Sequence, residues 1–164
     1  MTVQVSPVGP ADADHIATWL TSRADVTMFG GPSLPFPMSG QDLLTTSKDG
    51  WVILAMFQGD VLFATGSYLE LPSGDVRIGR LIVDPGKRGQ GLGRLAVTSL
   101  VQHATEAYPQ GTVTLGVFEQ NVNARCLYES IGFRDTGAQR SVDVNGETWA
   151  SIEMEKPPTP PAGH

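Results

Sequence analysis

The chain has 164 residues, 40% of them apolar, and a formal net charge of −6, which fits one folded domain and excludes a disordered chain or a general basic nucleic-acid binder. A single cysteine, Cys126, excludes an intrachain disulfide, and the first residues, MTVQVSPVGP, lack the pattern of a secretory leader. No stretch approaches the roughly 18 apolar residues of a membrane span, so a cytoplasmic protein with no membrane partner is expected.

Val3, Val5 and Val8 around Pro7 predict a short strand. Pro10 then opens a helix with Asp12 and Asp14 near its positive end, and Ile16, Trp19 and Leu20 supply an apolar face. From Ala24 to Met38 the prolines and glycines of FGGPSLPFP predict a proline-stiffened aromatic loop, either a wall or lid of a site or a surface loop held by Phe29 and Phe36. Ser39 followed by Asp42 predicts a capped helix running to Lys48.

Trp51–Phe57 and Val61–Glu70 are β-rich runs joined through Gln58-Gly59-Asp60, a hairpin signal. Val76–Val83 is a third strand, in which Gly79 marks a bulge or a close approach by a ligand. After it comes DPGKRGQGLGR, glycine-rich and basic, opening an amphipathic helix on Leu92, Leu95, Ala96, Ser99, Leu100, His103 and Ala104 that closes near Tyr108-Pro109. Thr112–Phe118 is a strand, Asn121 and Asn123 cap a helix with apolar Ala124, Leu127, Tyr128 and Ile131, and Gly132 ends it. Asn145-Gly146 then joins two strands near 139–144 and 148–155 as a hairpin, and KPPTPPAGH reads as a disordered proline-rich tail over 157–164. One domain over 1–156 is expected.

The glycine loop at a helix start is an anion site, because unpaired N–H groups and the positive dipole end meet where backbone can approach a ligand closely. It fails the Walker A pattern, since Leu92-Gly93 rather than Lys-Ser/Thr follows Gly91. Gly91-Leu92-Gly93-Arg94-Leu95-Ala96 formally matches G-x-G-x-x-A, but Pro-Gly-Lys-Arg separates it from the strand, against a dinucleotide fingerprint.

Arg88-Gly89-Gln90-Gly91-Leu92-Gly93, read as R-x-x-G-x-G after a strand ending in Val-Asp-Pro, resembles the pyrophosphate motif of the GCN5-related N-acetyltransferase (GNAT) superfamily. Asn121 to Phe133 is similar to that superfamily's N-x-x-A-x-x-L-Y-x-x-x-G-F motif, downstream of a strand, so the resemblance is most specific over residues 77–133. It implies an α+β fold with a mixed, mostly antiparallel sheet of six to seven strands and about four helices, in the order β-α-α-β-β-β-α-β-α-β-β. It implies acetyl-coenzyme A as cosubstrate and transfer of its acetyl group to a primary amine through a ternary complex.

On this resemblance, backbone amides of Arg88, Gly89, Gln90, Gly91, Leu92, Gly93 and Arg94 hold the pyrophosphate, and Leu81, Ile82 and Val83 pair with the pantetheine arm in a slot between splayed strands. Asn121 hydrogen-bonds the arm, Arg125 either meets the phosphates or is solvated, and Tyr128 protonates the departing thiolate. No metal site is expected. Cys126 reads as a small buried residue rather than a nucleophile. Glutamates that relatives use as a base align with Gly79 and Gly116, leaving Glu70, Asp75, Asp84 and Glu119 as nearby carboxylates, or a water chain. A small-molecule amine is the expected acceptor; a peptide or protein amine, or a non-catalytic acyl-coenzyme A-binding module, is the alternative, and a homodimer is compatible with the superfamily.

Overall fold

In the computed structural model, which describes residues 2–159, β1 (Gln4–Pro7) leads into α1 (Pro10–Ala17), α2 (Arg23–Gly30) and α3 (Gly40–Thr45). A 3-10 turn over Thr46–Asp49 precedes three strands, β2 (Val52–Gln58), β3 (Val61–Glu70) and β4 (Val76–Val83). Then follow α4 (Leu92–Ala107), β5 (Val113–Phe118), α5 (Val122–Ile131), β6 (Arg134–Val144) and β7 (Glu147–Lys156). Residues 157–159 have no regular structure, and the rest of the expected tail, 160–164, lies outside the described residues. The sheet and element order match the α+β expectation, with one helix more than expected.

That helix is α2, where a loop was expected. Ser22 accepts a hydrogen bond from the backbone N–H of Asp25 at 3.0 Å, the same Ser-x-x-Asp start that Ser39 and Asp42 give α3. Gly31 (φ 91°) and Pro32 end the helix rather than prevent it. Conversely, α1 stops at Ala17, yet Trp19 and Leu20 beyond its end are still buried in the core.

The seven strands lie in the order β1-β2-β3-β4-β5-β7-β6. Every neighbouring pair is antiparallel except β4 and β5, which run parallel and pair only at Val76–Val113 and Arg77–Thr114. Beyond those two rungs the strands part, so the far half of β4 presents an unpaired backbone edge to a gap. Side-chain alternation divides the core between the two faces of the sheet. Leu54, Met56 and Phe63 join the α4 residues Leu92, Ala96, Val97 and Leu100 on one face. Ala55 and Leu62 join Ile16, Val26, Phe29 and Leu43 of the N-terminal helices on the other.

The β3–β4 ladder holds the irregularity that Gly79 foreshadowed. Thr65 faces Ile82 but Ser67 faces Gly79, so β4 contains one extra residue across from Gly66. The backbone absorbs it at Arg80, whose φ is 51°.

α1 and α3 meet where Gly40 lies against Ala13 and Asp14. A Cβ on Gly40 would stand 2.7 Å from the backbone N of Asp14, 2.9 Å from the carbonyl carbon of Ala13, and against Asp14 Oδ1. Because two of these atoms are backbone, side-chain rotation cannot relieve the overlap. Gly40→Ala is expected to destabilise the fold by about 2 kcal/mol, read as a lower midpoint in urea; an unchanged midpoint would show that the two helices part freely.

Candidate active site

The gap between β4 and β5 opens into a cleft of about 500 Å³. At one end, Asp84 accepts a hydrogen bond from the N–H of Gly86 at 2.9 Å and shapes the turn over Pro85–Lys87. Gly89 and Gly91 then adopt φ of 82° and 74°, and α4 starts at Leu92 with no side-chain cap. The first intrahelical bond is a long one, Leu95 N–H to the Gly91 carbonyl at 3.5 Å, so the amides of the preceding turn are available to a ligand. Nothing lies within 4 Å of where a side chain on Gly89 or Gly91 would begin. The loop is therefore open on the side an oxyanion would approach.

Along the cleft run Leu81, Ile82 and Val83 of β4, with Arg88, Gly89, Gly91, Leu92 and Gly93 at the loop end. Asn121 and Tyr128 close it from α5. The Asn121 side-chain oxygen accepts from Ala124 N–H at 3.4 Å, capping α5 and leaving its NH₂ group for a ligand. Tyr128 packs edge-on against Phe133, ring centroids 5.9 Å apart, and no hydrogen bond to its hydroxyl is present among the described residues. Burial pushes its phenol up to about 12, so it is a neutral O–H donor across the working range of any enzyme assay.

Three of the expected ligand residues are not brought to the cleft lining. Gln90 is not among the lining residues. Arg94 is turned toward α5, its guanidinium donating to Ser130 Oγ at 2.6 Å. Arg125 donates to the Glu119 carbonyl at 3.2 Å, which ties it to the β5–α5 turn. Cys126 is exposed rather than buried, because it falls between the helix positions that carry Ala124, Leu127, Tyr128 and Ile131 inward.

None of the four candidate carboxylates lines the cleft. Asp75 accepts from Thr112 N–H at 3.0 Å, Glu70 accepts from the Tyr108 hydroxyl at 3.3 Å, and Asp84 shapes the turn. Gly116 instead makes room for an ion pair between Arg77 and Glu153: a Cβ there would stand 2.8 Å from the Arg77 guanidinium.

Lys87, Asn123, Asp25 and Met28 also line the cleft and were not singled out from sequence, whereas Phe29 lies in the 24–38 segment for which a wall of a site was one of the two expectations. The Ser22–Asp25 start of α2 was the signal that would have revealed that wall. Met28 and Phe29 also line two smaller cavities. One reaches Tyr128 and Asn121 between the splayed strands; the other, about 270 Å³, extends past Gly79 and Gly116 to Trp51 and Arg140.

The model of the acetyltransferase (GNAT) family matches residues 18–133, most of the chain and both halves of this cleft. The chain belongs to that family. This GNAT protein is 36% identical over 75 residues to a spermine/spermidine N(1)-acetyltransferase of Bacillus subtilis, covering 46% of this chain and 47% of that protein. It is 39% identical over 74 residues to a peptidyl-lysine N-acetyltransferase of Escherichia coli, covering 45% and 46%. The GNAT chain thus spans about half the length of these relatives in the matched segments. Its fold matches that of an acetyltransferase from Salmonella typhimurium solved with acetyl-coenzyme A, at a TM-score of 0.72 and 18% identity, over 98% of this chain and 96% of that one. Among the described residues of the GNAT protein no helix is long and apolar enough to cross a membrane.

Proposed function

We propose that this protein is an N-acetyltransferase that uses acetyl-coenzyme A and a small primary amine, with residues 1–156 as one catalytic domain acting in the cytoplasm as a monomer or homodimer. The observation that carries the reading is one continuous cleft, from the open amides of the Gly89–Gly91 loop, along the unpaired edge of β4, to Tyr128. The loop amides with Lys87 and Arg88 suit a pyrophosphate, and the β4 edge suits the amide-rich arm that follows it.

In transfer, the amine nitrogen forms the new N–C bond as the C–S bond of the thioester breaks; the amine loses one proton and the thiolate gains one. Tyr128 gives its phenolic proton to the thiolate and regains one from solvent, so the net change is one proton lost by the amine and one gained by sulfur. The smaller cavity beside Tyr128 is lined by no carboxylate, and Asp25 in the wall of the larger cleft already accepts from the Thr21 N–H and hydroxyl, so the amine's proton leaves through water. A peptide lysine is the second reading, favoured by the similarity to the Escherichia coli peptidyl-lysine enzyme.

Acetyl-coenzyme A is expected to raise the melting temperature of the protein. Incubation with it and a panel of small amines and lysine peptides should release free thiol together with an acetylated product seen by mass spectrometry. Binding without product across the panel would reassign the fold to an acyl-coenzyme A-binding module. Absence of both would remove the cleft from the function.

A further inference from the structure

Refining the acetyl-transfer reading and dependent on it, we propose that the acceptor is a small amine bearing an oxyanion, such as an amino-acid carboxylate, and that Arg80 receives that oxyanion. The Nε and Nη1 atoms of Arg80 are buried without a hydrogen-bond partner among the described residues. An unpaired guanidinium is costly to bury, and its five donors form a fork suited to a carboxylate. The guanidinium carbon sits 4.7 Å from the centre of the Trp51 ring, and on the other side the side chain packs against Gly30 at the end of α2. Trp51 and, at longer range, Asp49 compensate the charge in part, but neither accepts a hydrogen bond from it.

The backbone supports the same reading. Arg80 is a non-glycine residue in left-handed conformation, with φ of 51°, which brings its Cβ against the backbone. Such positions persist where the surrounding structure has a use for them. Here the bulge at Arg80 turns its side chain to the junction of the two smaller cavities, between Tyr128 and the outer pocket.

Charge in that outer pocket runs against the rest of the chain. In a protein of net charge −6, its lining holds Arg77, Arg80 and Arg140 and no aspartate or glutamate. Arg77 is neutralised by Glu153, whereas Arg80 and Arg140 have no such partner among the described residues. A polyamine would bring further cations to this wall, whereas an oxyanion would complete it. The volume, about 270 Å³, suits an acceptor of amino-acid size. The positive neighbours would also favour the uncharged form of the acceptor nitrogen, the form that can attack.

The test is a comparison of matched acceptors on the intact protein with acetyl-coenzyme A. The panel holds the common L-amino acids and aminoalkylphosphonates, each beside its neutral carboxamide or decarboxylated amine, with spermidine as the polyamine. The best oxyanion-bearing acceptor is expected to exceed its neutral partner in kcat/KM by about 100-fold. Carboxylates and phosphonates compete as separate arms, and preference for either supports Arg80 as the receiver. In Arg80→Met that ratio should fall close to one, while Arg80→Lys should retain part of it. If neither variant folds, as judged by the acetyl-coenzyme A thermal shift, the wild-type ratio alone decides. Equal or better turnover of spermidine or the neutral partners overturns the oxyanion while leaving acetyl transfer intact, as does a ratio that survives in a folded Arg80→Met. No acetylated product from any amine overturns both.

Discussion

Tyr128→Phe should lower kcat about 100-fold while acetyl-coenzyme A affinity stays near that of the parent. The substitution removes one oxygen and keeps the ring that packs against Phe133, so neither the α5 face nor the cleft wall is disturbed. What disappears is the hydroxyl proposed above to protonate the leaving sulfur. Without it the thiolate must depart charged or wait for water. Stopped single-turnover measurements with a good acceptor separate this chemical step from product release, and unchanged turnover would take Tyr128 out of the mechanism.

The pH profile follows from the same group. Its phenol, raised to about 12, is protonated throughout the assay range and loses that proton only as pH climbs toward 12. Tyr128 therefore imposes no falling limb below pH 10. The acceptor behaves the opposite way: an alkylamine with a pKa near 10 gains about tenfold in neutral form for each pH unit above 7. The expected profile of kcat/KM is a rising line that flattens at the acceptor's own pKa. A fall between pH 8 and pH 9 would show that a different acid protonates the sulfur.

Gly91→Val should weaken acetyl-coenzyme A binding about 100-fold, the second large effect. At φ 74° a β-branched residue is strained by roughly 1–2 kcal/mol, and its side chain would begin in the open space above the loop amides. A second glycine variant separates backbone strain from loss of the loop amides. Gly59, at φ 60° in the turn between β2 and β3 and equally open, gives Gly59→Val the same backbone penalty far from the cleft. Calorimetric titration should show Gly59→Val binding as the parent does and Gly91→Val losing affinity. Parental affinity in Gly91→Val would remove the loop from phosphate binding.

The loop, the α5 cap and the hairpins were legible in the sequence because each is settled within a few residues. Gly89 and Gly91 set the backbone before α4; Asn121 caps α5 through its own third neighbour; Asn145-Gly146 turns β6 into β7. Local chemistry of that kind, with two motifs in order, was enough to name the family. Even α2, read as a loop, carried its signal in Ser22 and Asp25; the glycines and prolines after it outweighed a cap that was there. The placement of Arg94 and Arg125 was not legible, since each is decided by a partner, Ser130 or the Glu119 carbonyl, that competes with a ligand for the same donors.

By itself, then, the sequence determined the strand–loop–helix that can hold a pyrophosphate and the helix that carries Tyr128, because contacts between near neighbours build both. Only the tertiary structure decided what stands on the acceptor side. Arg80 looks like an ordinary strand arginine until the β3–β4 register inserts one extra residue there, α2 brings Gly30 over it and Trp51 comes beneath it from the start of β2. The splaying of β4 from β5 then opens a cavity beside that charge. Those contacts join segments tens of residues apart, and no local pattern records them.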